Sequence, residues 1–139
     1  MSPPRPTQED MLALAAYLPR LYAEGFQPLR RWPVTVDRGD GFVHAPPGYD
    51  PLVLDFVREA SRPCWEAEDY DWDRDEAMLQ DPEAVSRADI DQIRSMLTCF
   101  VRVERFCEGS WALMIGQGHI RRLLERVAEL AQQEAAAGR

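Results

Sequence analysis

Histidine and cysteine are scarce in this chain, and the few present sit in positions that exclude several chemistries. The only two histidines, His44 and His119, are far apart in sequence, so no H-E-x-x-H zinc helix exists, and neither a G-x-S-x-G elbow nor a phosphate-binding P-loop is present. The cysteines, Cys64, Cys99 and Cys107, are odd in number and lack C-x-x-C spacing, which indicates neither a zinc site nor a disulfide framework and suits a reducing compartment. No metal and no cofactor are expected. Long apolar runs are lacking too. Nothing approaches the roughly 20 residues that span a bilayer, and Met1 to Pro6 contain no apolar signal region, so a cytoplasmic protein without membrane contact is expected. Positive charge is outnumbered: 16 Lys and Arg face 24 Asp and Glu, a net charge of -8. Tracking a nucleic-acid backbone needs a basic face and counterion release, so direct nucleic-acid binding is not expected. Acidity of this size serves solubility; the alternative it leaves open is an acidic nucleic-acid mimic that binds a basic protein.

What is present is a helical pattern in 139 residues, 45% of them hydrophobic and 29% charged, enough for one ordinary core. The expectation is an all-α single domain over 1–139 of five or six helices, with a flexible leader at 1–6 and a frayed tail at 132–139. Thr7 with Glu9 and Asp10 reads as a helix start, followed by Met11, Leu14, Leu18 and Leu21 at helical spacing. Pro19 should kink or end that helix, and Gly25 closes it. Between Arg31 and Asp50 the period is lost; Val34-Thr35-Val36 and Phe42-Val43-His44 are β-prone and compatible with one short hairpin near 34–44. The Arg38-Gly39-Asp40 tripeptide belongs to its turn. Asp50-Pro51 and Asp81-Pro82 are both helix starts, the first leading into Leu52, Val53, Phe56, Val57 and Ala60. A long helix is expected from about Asp89 to Phe106, a short one over Ser110 to Ile115, and a last one carrying Ile120, Leu123, Leu124 and Val127.

The long helix is apolar around more than half its circumference, which makes it central. Its polar sector gathers Arg94, Thr98, Arg102 and Arg105 at spacings of four, four and three, with Asp91 as the one acid in the stripe. Convergent guanidiniums repel unless acids or a bound anion neutralise them, so these four, with Trp111 beyond the Gly109 turn as a wall, are candidate ligand-binding residues. Glu104 falls on the apolar side of the same wheel. A carboxylate there must be paired or protonated, and a buried structural ion pair with a guanidinium is expected, with Arg30, Arg31, Arg121 and Arg122 as candidate partners.

Asp69-Tyr70-Asp71-Trp72-Asp73-Arg74-Asp75 imitates the first, third and fifth ligands of a calcium loop, but Arg74 replaces the turn glycine and Gln80 the terminal glutamate. It reads instead as a solvated acidic segment or a partner-binding edge with aromatic anchors. Cys107 beside Arg105 could be an activated thiol acting with His119, although free cysteines are usually small hydrophobes.

The pattern Leu97-Thr98, Val101-Arg102, Glu104-Arg105-Phe106-Cys107-Glu108-Gly109, Met114, Gly118-His119-Ile120 and Leu123-Leu124-Glu125-Arg126 resembles a bacterial family catalogued as domain of unknown function 6508. The resemblance is densest over residues 97–130, with Leu18-Pro19, Phe56 and the tryptophan-containing middle adding to it. Ser110 stands where the family pattern has histidine after the glycine. The resemblance implies a compact domain and carries no catalytic residue. The reading from the residues is a small binding or regulatory module, monomer or homodimer, with an arginine-lined site for an anionic small molecule or a protein partner's carboxylates. Its alternative is a small enzyme using Glu104, Cys107 or His119.

Overall fold

The computed structural model describes residues 4–138. Helix α1, Gln8–Ala15, begins with a capping box in which the Thr7 hydroxyl accepts from the Asp10 N–H and the Asp10 carboxylate accepts from the Thr7 N–H, answering two of the donors a helix start leaves free. The chain turns at Tyr17, and α2, Leu18–Leu21, is a single turn with Pro19 near its start. The proline therefore separates two segments.

Residues 29–49 form an arm of four short strands, β1 Leu29–Arg31, β2 Val34–Asp37, β3 Phe42–Ala45 and β4 Gly48–Tyr49. The expected hairpin at 34–44 is β2 against β3, antiparallel, pairing Val34 with Ala45, Thr35 with His44, Val36 with Val43 and Asp37 with Phe42. Behind it β1 pairs with β4. This second pair was not legible in the sequence, because its strands are only three and two residues long and are bounded by Pro33 and by Pro46-Pro47.

The Asp50 carboxylate caps α3, Pro51–Ala60, and a 3-10 turn at Pro63–Trp65 places the Trp65 side chain fully inside. Asp71 caps α4, Trp72–Leu79, and Asp81 caps α5, Pro82–Arg87. The central helix is α6, Ile90–Val103, with the residues from Ile93 to Phe100 all buried. It ends three residues before the expected Phe106. After a turn come α7, Ser110–Gly116, and α8, His119–Ala137. The fold is thus mostly helical, as expected: seven helices of six residues or more plus the single turn α2 among the described residues. The excess over five or six comes from the break at Tyr17 and from α4 and α5 standing as two separate short helices; α7 answers the short helix expected over Ser110 to Ile115.

Phe56, Phe100 and Trp65 meet the inner faces of α6 and α8 in one core that includes Leu14, Leu79, Ile93, Leu97 and Leu124, and α1 packs along α8. Helical structure in α8 runs through most of the 132–139 segment expected to fray, while Arg139 lies outside the described residues. Of the 1–6 leader, Met1 to Pro3 lie outside them too; Pro6 is buried, and Arg5 reaches Asp91 at 3.0 Å.

The Thr7 amide and hydroxyl, together with Arg62, hold the Asp10 carboxyl below its ordinary range. A depressed carboxyl contributes stability above its unfolded pKa, and the contribution fades as pH falls through the folded one. The melting-temperature difference between the wild type and Asp10→Asn is therefore expected to be largest near neutral pH and to shrink below about pH 4, as read by circular dichroism.

Candidate functional site

The polar stripe of α6 is the place to begin, because its four members meet different fates. Arg94 is 8% exposed. Its Nη2 donates to the Glu66 carbonyl at 2.9 Å, Asp91 lies 3.7 Å away, and its buried Nε has no partner. Thr98 is also buried: its hydroxyl accepts from the Ala67 N–H at 2.9 Å and lies 2.9 Å from the Arg94 carbonyl. Arg102 pairs with the Glu66 carboxylate at 3.0 Å and stacks over the Tyr70 ring at 4.8 Å. The segment Glu66 to Tyr70 thus lies along the stripe and supplies, in Glu66, an acid for Arg102 beyond the helix's own Asp91. Arg105 sits past the end of α6, exposed, with no ion pair and no side-chain hydrogen bond among the described residues.

Two adjoining clefts run between α3 and the end of α6. The smaller, about 170 Å³, is lined by Ala60, Ser61, Thr98 and Arg102; the larger, about 500 Å³, by Pro46, Pro47, Val57 and Trp111. Both are lined by Val101 and Arg105. Four of the five residues singled out from the sequence, Thr98, Arg102, Arg105 and Trp111, therefore line one composite groove. Arg94 does not; it lines a separate cleft of about 460 Å³ with Glu66, Glu68, Asp69 and Asp91.

The ion pair expected of Glu104 is absent among the described residues, and the cause is the early end of α6. Glu104 is the residue that caps it, still in helical geometry at φ -59° and ψ -30°, and its half-buried carboxylate reaches forward over the next turn. Oε1 accepts from the Tyr49 hydroxyl at 2.7 Å and from the Trp111 N–H at 3.1 Å, and Oε2 accepts from the Gly109 N–H at 2.8 Å. Amides at a helix start carry partial positive charge and lack intrahelical acceptors, so the carboxylate is satisfied without a guanidinium. The four candidate partners go elsewhere: Arg30 to Asp50, Arg31 to the Pro46 carbonyl, Arg121 to Glu125 and Arg122 to His119. Burial, followed by the adjacent Glu104, pushes the Tyr49 phenol well above its ordinary range. The Trp111 indole is fixed by a bond from its Nε1 to the Phe100 carbonyl at 2.9 Å and by Tyr49, whose ring centre is 5.2 Å away.

Sequence reasoning missed the contacts that attach the arm. His44 Nε2 lies 2.7 Å from Glu108 Oε2, while its Nδ1 lies 3.0 Å from the Thr35 hydroxyl across the hairpin. Gly109, at φ 91°, lies under Trp32, so closely that an added Cβ would come within 3.1 Å of the indole. No local pattern announces contacts between segments 64 residues apart.

The residues of the enzyme alternative are not joined. His119 Nδ1 accepts from Arg122 at 2.7 Å and its Nε2 donates to Gln117 at 3.1 Å; burial and then the Arg122 charge lower its pKa. Cys107 is exposed, and no hydrogen bond links it to Glu104 or His119 among the described residues. Cys99 is pushed up to about 11 by burial, the inert state of a core thiol. In the acidic run Asp71 caps α4, and the buried Asp75 accepts from the Asp71 N–H and from Arg74. Among the described residues no cluster of three or more acidic, histidine or cysteine side chains could hold a metal.

Fold and groove together define a small helical domain with a β-arm docked at the carboxyl end of its central helix. A family model described as a family of unknown function (DUF6508) matches residues 6–133, and the chain belongs to that family. No curated protein and no solved structure matches it.

Glu104→Ala strands the Gly109 and Trp111 amides and the Tyr49 hydroxyl, so a loss of about 2–4 kcal/mol is expected in urea unfolding; Glu104→Gln, which keeps an acceptor oxygen, should lose less. A raised phenol pKa favours the fold below the unfolded value, and that contribution is lost as pH rises. Above about pH 10 the wild type should therefore lose stability that Tyr49→Phe does not, as followed by melting temperature against pH.

Proposed function

We propose that the protein is a binding module whose composite groove takes a small molecule combining an apolar, preferably aromatic, body with an anionic group. The observation that carries this reading is Arg105, a guanidinium without an internal partner among the described residues that lines both clefts. Beside it stand Pro46, Pro47, Val57, Val101 and the fixed Trp111 ring. Apolar walls with few polar groups suit a small ligand, and an unpaired guanidinium can take a carboxylate or phosphate through two parallel hydrogen bonds. Arg102, already paired with Glu66, has the secondary part of adding positive potential at the smaller cleft. Glu104 and Glu108 also line the larger cleft, but their hydrogen bonds go to the protein. Their charge disfavours a bare small anion and leaves the apolar body as the main source of affinity. Among catalytic alternatives none has a comparable arrangement, since Glu104 and His119 have separate partners and no hydrogen bond links Cys107 to either among the described residues.

The test is a thermal-shift series with benzoate, indole-3-acetate, a nucleoside monophosphate and inorganic phosphate on the wild type, Arg105→Gln and Arg94→Gln. A ligand a hundredfold above its Kd stabilises the folded state by about 2.7 kcal/mol, a shift of several degrees. An aromatic anion should raise the wild-type and Arg94→Gln melting temperatures and leave Arg105→Gln unmoved. No shift with any anion, or equal shifts in Arg105→Gln, overturns the reading.

A further inference from the structure

The groove holds two open positions of opposite charge. Arg105 has no internal partner among the described residues, and Glu108, three residues on, lines the same cleft of about 500 Å³. Oppositely charged side chains at that spacing pair readily along a helix. Here they do not, because α6 ends at Val103 and the Glu108 carboxylate is turned to the arm, where Oε2 lies 2.7 Å from His44 Nε2. A carboxylate offers about four acceptor positions on its two oxygens, and Glu108 Oε1 makes no hydrogen bond among the described residues. The Glu108 side chain is 39% exposed, so that oxygen can be reached. Glu104, the other acid of the cleft, differs in that its oxygens already accept from Tyr49, Gly109 and Trp111.

We propose that the ligand of this groove is a free aromatic amino acid, an inference that rests on the groove being the binding site. Its carboxylate lies on Arg105, its ammonium on Glu108, and its side chain against the Trp111 ring and the Pro46-Pro47 wall. A bare aromatic acid neutralises the guanidinium but strips water from Glu108 without giving it a partner, which is costly. A bare aromatic amine does the same to Arg105. The zwitterion answers both charges at the two positions where the protein's own groups leave them open. A peptide terminus does not suit, because a carboxyl-terminal residue has lost its ammonium to the amide bond and an amino-terminal one its carboxylate.

The walls are formed in advance. The Trp111 indole is held by the Phe100 carbonyl and by the Tyr49 ring, and each proline ring fixes its own backbone φ, so little ordering remains to be done on binding. Aromatic rings pack on an indole in offset or tilted arrangements, and Val57 and Val101 complete the apolar lining. The cleft volume lies within the roughly 300–1,000 Å³ of small-molecule sites. His44, whose Nδ1 is 3.0 Å from the Thr35 hydroxyl, holds the Glu108 carboxylate in place from the arm side.

Isothermal titration of tryptophan, indole-3-propionate and tryptamine into the wild type, Arg105→Gln and Glu108→Gln tests the proposal, with circular dichroism confirming the fold of each variant. The ligands share one indole body and differ in the charges they carry. Tryptophan should bind the wild type about tenfold or more tighter than either analogue, as one charge-assisted hydrogen bond allows. In Glu108→Gln, which keeps an oxygen for His44, its advantage over indole-3-propionate should vanish; in Arg105→Gln its advantage over tryptamine should vanish. Indole-3-propionate that binds the wild type as tightly as tryptophan, and loses affinity in Arg105→Gln, overturns the amino-acid assignment and leaves the aromatic-anion reading of the groove standing. An advantage over indole-3-propionate that survives in Glu108→Gln overturns it as well. Binding of none of the ligands overturns both.

Discussion

The carboxylate of Glu104 holds three segments in register. Its two oxygens accept from the start of α7 at Gly109 and Trp111 and from Tyr49 at the end of β4, so one side chain sets the angle at which α7 leaves α6 and anchors the arm beside it. Half-buried charge is costly, and here polar donors from rigid backbone offset that cost. Trp111 is thereby fixed, its indole tied in turn to the last turns of α6, and with it the apolar wall of the groove. A loosened Glu104 would therefore disturb fold, arm and groove together.

A second set of bonds acts along the flank of α6. Thr98 and Arg94 bind the backbone of residues 66 and 67, and Arg102 binds the Glu66 carboxylate. The polar sector of a central helix is thus covered by an acidic segment that has little apolar surface of its own beyond the buried Trp65 and the partly buried Trp72. This arrangement leaves Arg105 as the arginine of the stripe with its charge turned outward.

The arm is attached by its polar face through His44 and Glu108 and by the close approach of Trp32 to Gly109. Both contacts, like those of Glu104, involve the turn between α6 and α7. Groove and arm are consequently organised around residues 104 to 111, a stretch in which charge and aromatic side chains alternate.

Much of the fold was legible in the sequence because it rests on local chemistry. Thr7, Asp50, Asp81 and Asp89 each cap a helix with their own side chain, and the 3.6-residue period of α6 and α8 marks the faces that are buried. The β2–β3 hairpin followed from alternating β-prone residues about a glycine turn. The environment of Glu104 did not follow. A helical wheel extended by three residues put it on an apolar face and demanded an arginine, whereas the helix stops at Val103 and the carboxylate meets backbone amides. The division of the arginine stripe was equally hidden: spacing put four polar side chains in one sector, but only the path of residues 66–70 across it decided which were neutralised and which one faces a groove. Propensity, capping and periodicity act over a few residues and can be read from them; the partner of a charge is whichever group the folded chain brings within about 3 Å, and that is fixed by tertiary packing alone.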